Sequence, residues 1–253
     1  MAFTRRYDGT EPQRVNKWLA QSGVCSRREA EGLIAEGLVT IDGERVDDPG
    51  RKIMPGQTLI LADKAQRKLQ GQMSILLHKP RGIVSAHPEP GQTPAIRLIT
   101  RDRLWDPPAP IPGVDANLAP LGRLDMESRG LLVLSEDGVL AKALIGPSSG
   151  LEKEYRVFVM GDVTEEKLAL LRHGLELDER KLRPAEVDLI ADQRLRFVLK
   201  EGRNRQIRRM CEQVELKVVD LFRVRVGGLT LGDMPEGHWR HLTQQERAAL
   251  IGG

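Results

Sequence analysis

The chain has 253 residues, of which 40% are hydrophobic and 30% charged, and its formal net charge is +3. This length predicts two domains, or one large domain, with a substantial hydrophobic core. No stretch approaches the ~18 apolar residues that a membrane span needs, so none is expected. The two cysteines, Cys25 and Cys211, are far apart and follow no apolar signal segment, which predicts a cytoplasmic protein without disulfides.

The N-terminal region is expected to form a compact helix-helix-hairpin unit over residues 12–62. Val15, Trp18 and Leu19 have helical spacing, and Ser26 with Glu29 forms the capping-box pattern that opens a second helix. Gly37 is placed to end that helix, and Asp42-Gly43 favours a hairpin turn. Residues 1–11 are polar and predicted to be frayed, and the polar segment 63–72 is predicted to be a linker.

A second, larger domain is predicted over residues 73–246. Apolar and polar residues alternate in Tyr155–Val159 and Arg194–Leu199, which predicts strands, whereas the spacing within 163–172 and 204–214 predicts helices. Strands and helices follow one another irregularly, so the sequence predicts an α+β fold with a mixed, mainly antiparallel sheet.

A carboxylate occupies a prominent position in the centre of this domain. The run Gly122-Arg123-Leu124-Asp125 precedes the apolar residues 131–134, which predict a buried strand or helix. An acid on a loop that a rigid element holds is a common way to present a catalytic group, and Arg123 could meet an anionic substrate. The alternative interpretation is that Asp125 only caps a helix.

Positive charge is concentrated between Arg194 and Arg225, where ten Lys or Arg accompany four Asp or Glu. This concentration predicts a site for a polyanion or, alternatively, a solvated charged face. Two basic groups have the pattern of RNA-binding surfaces, and their members are Arg14, Lys17, Arg27 and Arg28, and Arg203, Arg205, Arg208 and Arg209. Aromatic residues are only 4% of the chain, which argues against a stacking platform and leaves room for a pocket that takes one flipped base.

No cofactor or metal is predicted. The sequence contains no glycine-rich dinucleotide motif and no Walker lysine loop. His238 and His241 are close together without cysteine or acidic partners, so a structural role is favoured over metal binding. Cys25 and Cys211 are expected to be packing residues.

Two parts of the sequence resemble known families. Residues 12–62 are similar to the small RNA-binding domain first described in ribosomal protein S-four. Residues 73–246 resemble the catalytic domain of bacterial pseudouridine synthases of the RsuA group, and the stretches at residues 25–30 and 204–210 most resemble the RluF branch. The matching stretches occur in family order, at residues 78–82, 122–125, 153–155, 202–210 and 237–243.

The resemblance implies an enzyme that isomerises a uridine in RNA to pseudouridine without metal or cofactor. The implied substrate is large-subunit rRNA and, in some members, a tRNA anticodon loop. A monomer is the default expectation for the oligomeric state. Alternatives are a small-subunit rRNA target or a non-catalytic RNA-binding protein of ribosome assembly. An RNA-binding domain joined to a tRNA ligase would need an ATP-binding signature, which the sequence lacks.

The resemblance also implies residue roles. Asp125 would be the essential carboxylate, which either attacks the sugar or removes a sugar proton. Tyr155 would pack on the flipped base, and Arg208 would pair with Asp125 and keep it ionised. Arg123 would fill the space that the base leaves, and Leu231 would pack against the uracil ring.

Overall fold

The computed structural model describes residues 3–105, 109–113, 116–147 and 149–252. The chain divides into two compact units. The first comprises Met1–Met73 with Ser135–Lys142, and the second comprises Ser74–Leu134 with Ala143–Gly253. No helix within the described ranges is both long and apolar enough to cross a bilayer.

The first unit contains two packed helices, a four-stranded sheet and a third helix. The order in its sheet is β1-β6-β3-β4, and every pairing is antiparallel. Its strands are β1 Phe3–Arg6, β2 Gln13–Arg14, β3 Val39–Ile41, β4 Glu44–Arg45, β5 Lys52–Ile53 and β6 Thr58–Leu61. Its helices are α1 Val15–Gln21, α2 Arg27–Ala35 and α3 Asp63–Gln70.

The predicted local signals of this unit are present. The Ser26 hydroxyl accepts a hydrogen bond from the Glu29 N–H, and the Glu29 carboxylate accepts one from the Ser26 N–H, which completes the capping box of α2. Gly37 has a φ of +69° just beyond the end of that helix. Asp42 and Gly43 both have positive φ, as a tight hairpin turn between β3 and β4 requires.

Two predictions for this unit are wrong. Residues 3–6 are not frayed, because β1 pairs with β6 and Phe3 packs against the core. The segment 63–72 is not an irregular linker, because α3 occupies most of it and buries Ala65. The few apolar side chains of α3 lie one helical turn apart, so a single narrow stripe is enough to attach it to the core.

Apart from the segment Ser135–Lys142, the elements from Ser74 onward build the second unit around one large sheet. The strands are β7 Ser74–Lys79, β8 Ile83–Val84, β9 Thr93–Pro94, β10 Ala119–Pro120, β11 Arg129–Ser135, β12 Lys153–Met160, β13 Glu176–Leu177, β14 Arg180–Lys181, β15 Glu186–Ala191, β16 Arg194–Leu199, β17 Lys217–Val226, β18 Leu229–Thr230 and β19 Trp239–His241. The helices are α4 Gly138–Ile145, α5 Glu165–Arg172, α6 Gln206–Gln213 and α7 Gln244–Gly252. Two short 3-10 helices, Ala95–Leu98 and Arg101–Arg103, lie between β9 and β10.

The large sheet has the order β15-β16-β12-β17-β11-β7-β19, with β10 added to β11 and β18 added to β17. The pairings of β12 with β16 and β17 are antiparallel, whereas β11 runs parallel to β17. The fold is therefore α+β with a mixed, mainly antiparallel sheet, which confirms the predicted class. The apolar run 131–134 lies within β11 and is fully buried, so of the two predicted possibilities it is a strand.

Candidate active site

A cleft of about 630 Å³ opens in the second unit. It is lined by the loop that carries Asp125, by the cleft-facing side of β12 and β17, and by the segment that leads into α6. Asp125, Tyr155 and Arg208 all line it, so the fold brings together the three residues predicted to be catalytic from distant parts of the sequence. A cleft of this size can enclose one nucleotide.

The backbone on either side of Asp125 is held by hydrogen bonds from several segments. The buried hydroxyl of Ser85 accepts from the Leu124 N–H at 2.9 Å and donates to the Leu124 carbonyl at 2.7 Å. The Ser128 N–H donates to the Asp125 carbonyl, and the Gly82 N–H donates to the Met126 carbonyl. These contacts fix the loop, which is the preorganisation that a catalytic carboxylate needs.

The helix-cap interpretation of Asp125 is wrong. The element that follows the Asp125 loop is strand β11, which begins at Arg129. The Asp125 side chain is about one-third exposed (32%) and faces the cleft instead of closing the first turn of a helix.

The guanidinium within ion-pair distance of Asp125 is that of Arg205, whereas Arg208 acts on Asp125 through its charge at longer range. Arg205 approaches the carboxylate, with Nη1 3.6 Å from Oδ2, and its Nη2 donates to Glu127 at 3.1 Å. Arg208 instead reaches the second half of the loop, where Nη2 is 3.3 Å from both the Glu127 carbonyl and the Ser128 hydroxyl. Arg205 has a left-handed backbone (φ 48°) directly before α6, which aims its side chain at the start of the loop.

Arg208 retains an unused donor. Its Nε is buried and has no hydrogen-bond partner among the described residues, the nearest carboxylate oxygen being that of Glu127 at 3.7 Å. Burial lowers the pKa of Arg208 from its ordinary value, with the Glu127 carboxylate opposing that effect. A buried donor without an acceptor is costly, and such a group at the wall of a cleft is suited to bind a substrate oxygen.

Tyr155 lies on β12 with 9% of its surface exposed and stands directly opposite Arg223 of β17. Leu231, which was predicted to contact the uracil ring, is not among the residues that line the cleft. It lies just after the β17–β18 hairpin, where its N–H donates to the Val224 carbonyl and its side chain is buried elsewhere. Among the described residues, Leu199, Ile207 and Leu221 supply apolar surface to the cleft instead.

The other predicted RNA-binding residues of this unit differ in placement. Arg123 is exposed and lines the cleft. Arg203 also lines the cleft, but its guanidinium donates to the carbonyls of Leu177, Arg180 and Lys181 and so holds the β13–β14 hairpin. Arg209 forms a two-bond pair with Asp178 and is not part of the cleft wall.

The four basic residues predicted to bind RNA in the first unit are Arg14, Lys17, Arg27 and Arg28. Arg14 directly precedes α1, Lys17 is on α1, and Arg27 and Arg28 begin α2. All four are exposed, and none forms an ion pair with a residue that the structure describes. Lys17 and Arg27 line the same small cavity of about 230 Å³.

Three cations of the site were not identified from the sequence, namely Lys79, whose charge interacts with Asp125, and Lys153 and Arg223, which line the cleft. Lys79 is fully buried, and its Nζ donates to the carbonyls of Pro80 and Ile83 at 2.7 Å. Burial lowers its pKa to about 8, an effect that the Asp125 charge opposes. Lys79 belongs to the resembling stretch 78–82, but nothing in the sequence places its charge near that aspartate.

Two other kinds of site would be a cluster of metal ligands and a reactive cysteine. No group of three or more His, Cys, Asp or Glu within the described ranges is arranged to hold a metal ion. Burial raises the pKa of both Cys25 and Cys211 to about 12, which makes them poor nucleophiles.

Family comparisons give a consistent result. The model of the family described as RNA pseudouridylate synthase matches residues 73–213, and the S4 domain model matches residues 13–59. A crystal structure of a pseudouridylate synthase superposes with a TM-score of 0.65 at 25% identity, covering 94% of this chain and 99% of that one.

Curated relatives extend over nearly the whole chain. Ribosomal large subunit pseudouridine synthase B of Bacillus subtilis is 35% identical over 92% of this chain and 93% of its own length. The dual-specificity RNA pseudouridine synthase RluF of Escherichia coli is 34% identical over 94% of this chain and 78% of its own length. A putative chloroplast large-subunit pseudouridine synthase of Arabidopsis thaliana is 35% identical over 95% of this chain, which spans 61% of that longer protein.

Proposed function

This chain belongs to the RNA pseudouridylate synthase family, and on that premise we propose that it isomerises a uridine of large-subunit ribosomal RNA. As an RNA pseudouridine synthase it is an isomerase. The reaction breaks the bond from the ribose to the ring nitrogen and joins the same sugar to a ring carbon, so no external group or electron is needed.

The observation that carries the proposed site is the placement of Asp125. Its loop is fixed through Ser85 and Ser128, and its carboxylate faces a cleft of nucleotide size. In the proposed reaction this carboxylate either attacks the sugar or removes a sugar proton. The backbone contacts keep it positioned while the base is detached and turned.

The remaining walls of the cleft support a flipped uridine. Tyr155 presents a largely buried ring beside Asp125, where it can pack on the base and help to move a proton. The free Nε of Arg208 can bind an oxygen of the nucleotide. In this proposal Arg123, which is exposed at the cleft, contacts the RNA that surrounds the flipped base.

The proposed target follows from the relatives, of which one acts on the large ribosomal subunit and another has dual specificity. Because some members of the branch that the sequence resembles modify a tRNA anticodon loop, we include a tRNA as a second candidate substrate. Arg14, Lys17, Arg27 and Arg28 are proposed to bind RNA phosphates, since exposed cations without carboxylate partners gain from counterion release.

The experiment is a modification assay with purified protein and unmodified transcripts of the 23S rRNA, the 16S rRNA and tRNAs. Chemical labelling of pseudouridine followed by primer extension identifies the modified position. We expect product in the 23S transcript, and none with an Asp125→Asn variant that still binds it. Product only in the 16S transcript would overturn the proposed target, and binding without product in any transcript would favour an assembly protein.

The proposal extends to a monomer that works in the cytoplasm. Both cysteines are free and buried, as suits a reducing compartment. Light scattering on the free protein, with and without an rRNA fragment, tests the monomeric state.

A further inference from the structure

The cleft-facing side of β12 and β17 carries Lys153, Tyr155, Leu221 and Arg223. Lys153 and Tyr155 are two residues apart on β12, so their side chains leave the same face of the strand. Arg223 stands directly opposite Tyr155 in the antiparallel register. Two cations therefore flank the aromatic ring that the proposed mechanism places against the base.

Neither cation has a negative partner within the described part of the chain. The Arg223 Nε donates to the Leu131 carbonyl at 2.8 Å, and its Nη1 lies 3.5 Å from the Arg123 carbonyl. The Lys153 Nζ donates to the Leu151 carbonyl at 3.2 Å. Carbonyls satisfy hydrogen bonds but do not neutralise a charge, and Arg223 is only 4% exposed.

The surroundings increase this excess of positive charge. Eight of the side chains that line the cleft are Lys or Arg, whereas two are Asp or Glu. Burial, and then the charge of Arg223, lowers the pKa of Lys153 from its ordinary value. Of the two carboxylates, Asp125 already faces Arg205, and Glu201 accepts from the Gln206 side chain and the Arg183 N–H.

We propose that Lys153 and Arg223 form an anion subsite that binds the phosphate of the nucleotide whose base enters the cleft. The inference rests on the proposed function, because a uridine carried into this cleft brings its own phosphodiester. Two desolvated cations without a carboxylate lose most of their burial cost when an anion binds between them. The subsite would hold the nucleotide in the cleft that Asp125 and Tyr155 also line.

The test compares two small probes that differ only in the phosphate, uridine 5′-monophosphate and uridine, and measures binding by NMR titration. Lys153→Met is the main variant. Arg156→Met is the matched control, because it removes one charge from the same strand at an exposed position that does not line the cleft. Arg223→Lys examines the buried partner while keeping its charge, since Arg223→Met could fail to fold.

We expect the wild-type protein to bind the monophosphate more tightly than uridine. Lys153→Met should weaken monophosphate binding by on the order of tenfold and leave uridine binding unchanged, since a lost charge-assisted hydrogen bond has about that effect. Arg223→Lys should lose part of the phosphate preference, and Arg156→Met should keep all of it.

Three results would overturn the subsite. They are a wild-type protein without preference for the monophosphate, an equal loss of both probes in Lys153→Met, and an equal loss of preference in Arg156→Met. An equal loss of both probes would mean that Lys153 binds the base. Because binding is read without turnover, failure of the subsite is distinct from failure of the proposed function, which the modification assay reports.

Discussion

The two faces of the β12–β17 strand pair differ in whether their cations are paired with carboxylates. On the cleft face, Lys153 and Arg223 are bonded only to backbone carbonyls. On the other face, Glu154 lies 3.1 Å from both Arg156 and Arg225, and Arg225 also reaches Glu152 at 3.3 Å. One pair of strands thus carries a compensated ionic network on one side and uncompensated positive charge on the other.

A β-bulge produces this separation. Tyr155 pairs with Arg223 and Glu154 pairs with Arg225, so Val224 is an extra residue on β17. In a regular strand Arg223 and Arg225 would share a face, but the bulge turns one into the cleft and the other toward Glu154. Whether a charged side chain of these strands has a carboxylate partner therefore depends on the face it occupies, and the face without such partners is the one proposed to bind substrate.

The largest expected effect comes from the cleft face. Asp125→Asn should lower pseudouridine formation by on the order of 10⁴-fold or more, because removal of a reactive group leaves only binding effects. RNA binding should change by no more than a few fold. Tritium release from ring-labelled RNA measures turnover, and filter binding measures affinity. Turnover within about tenfold of wild type would remove Asp125 from the mechanism.

Replacing Arg208 should lower kcat far more than replacing Arg205. Arg208→Met removes a buried donor and should lower kcat by roughly 10²–10³-fold, the usual effect of losing one positioned donor. Arg205→Met removes a partly exposed ion pair of 3.6 Å, so a loss of no more than about fivefold is expected. Single-turnover rates at saturating enzyme measure both. The reverse order would assign the catalytic guanidinium to Arg205.

A substitution at Gly130 tests the close contact between β11 and β17 at Arg223. Gly130 pairs with Arg223 across the parallel β11–β17 contact and has a φ of +113°, and a Cβ there would overlap the Arg223 carbonyl oxygen and lie 2.8 Å from its nitrogen. Gly130→Ala should therefore reduce the free energy of unfolding by about 2–4 kcal/mol. Urea denaturation measures this change.

Gly32→Ala is the matched control for that substitution. Gly32 lies within α2, and a Cβ there would meet nothing within 4 Å. The helix should gain ~0.5–1 kcal/mol from the replacement. Similar losses at both glycines would mean that the approach of β17 to β11 is not what requires Gly130.

The sequence predicted the parts of this molecule that depend on local pattern. The capping box at Ser26, the hairpin turn at Asp42 and the strand Arg194–Leu199 were all found from spacing and turn chemistry. Strand β17 was largely missed, because Asp220, Arg223 and Arg225 interrupt its apolar residues and the bulge breaks the period of two. Helix α3 was missed because its single apolar stripe is too weak to stand out in a polar segment.

The site also divides into residues that the sequence predicted and contacts that it could not predict. The family-like stretches located Asp125, Tyr155 and Arg208, and the fold places all three at one cleft. The partner of Asp125 could not be derived, because it depends on the left-handed backbone at Arg205. The hydrogen bonds of Ser85 to Leu124 and the charge of Lys79 beside Asp125 depend on contacts between segments about 40 residues apart. The local spacing of residues in the sequence does not predict such contacts.

The smallest expected effect lies on the compensated face, at Glu154. This carboxylate is 8% exposed and neighbours three guanidinium groups, those of Arg156, Arg196 and Arg225. Glu154→Gln keeps the shape and removes the charge. It should reduce the free energy of unfolding by about 1–3 kcal/mol, because the arginines are partly exposed and water screens the charge they are left with.

Glu154→Gln should leave the catalytic rate nearly unchanged, in contrast to Asp125→Asn. The kcat measured well below the melting temperature should stay within about twofold of wild type, since the Glu154 side chain does not line the cleft. Thermal denaturation followed by circular dichroism gives the stability change, and the tritium assay gives kcat. If kcat fell tenfold while stability was unchanged, charge on the outer face would be coupled to the reaction, and the division between the two faces would fail. If stability fell and kcat held, the ionic network would be structural, as its complete pairing implies.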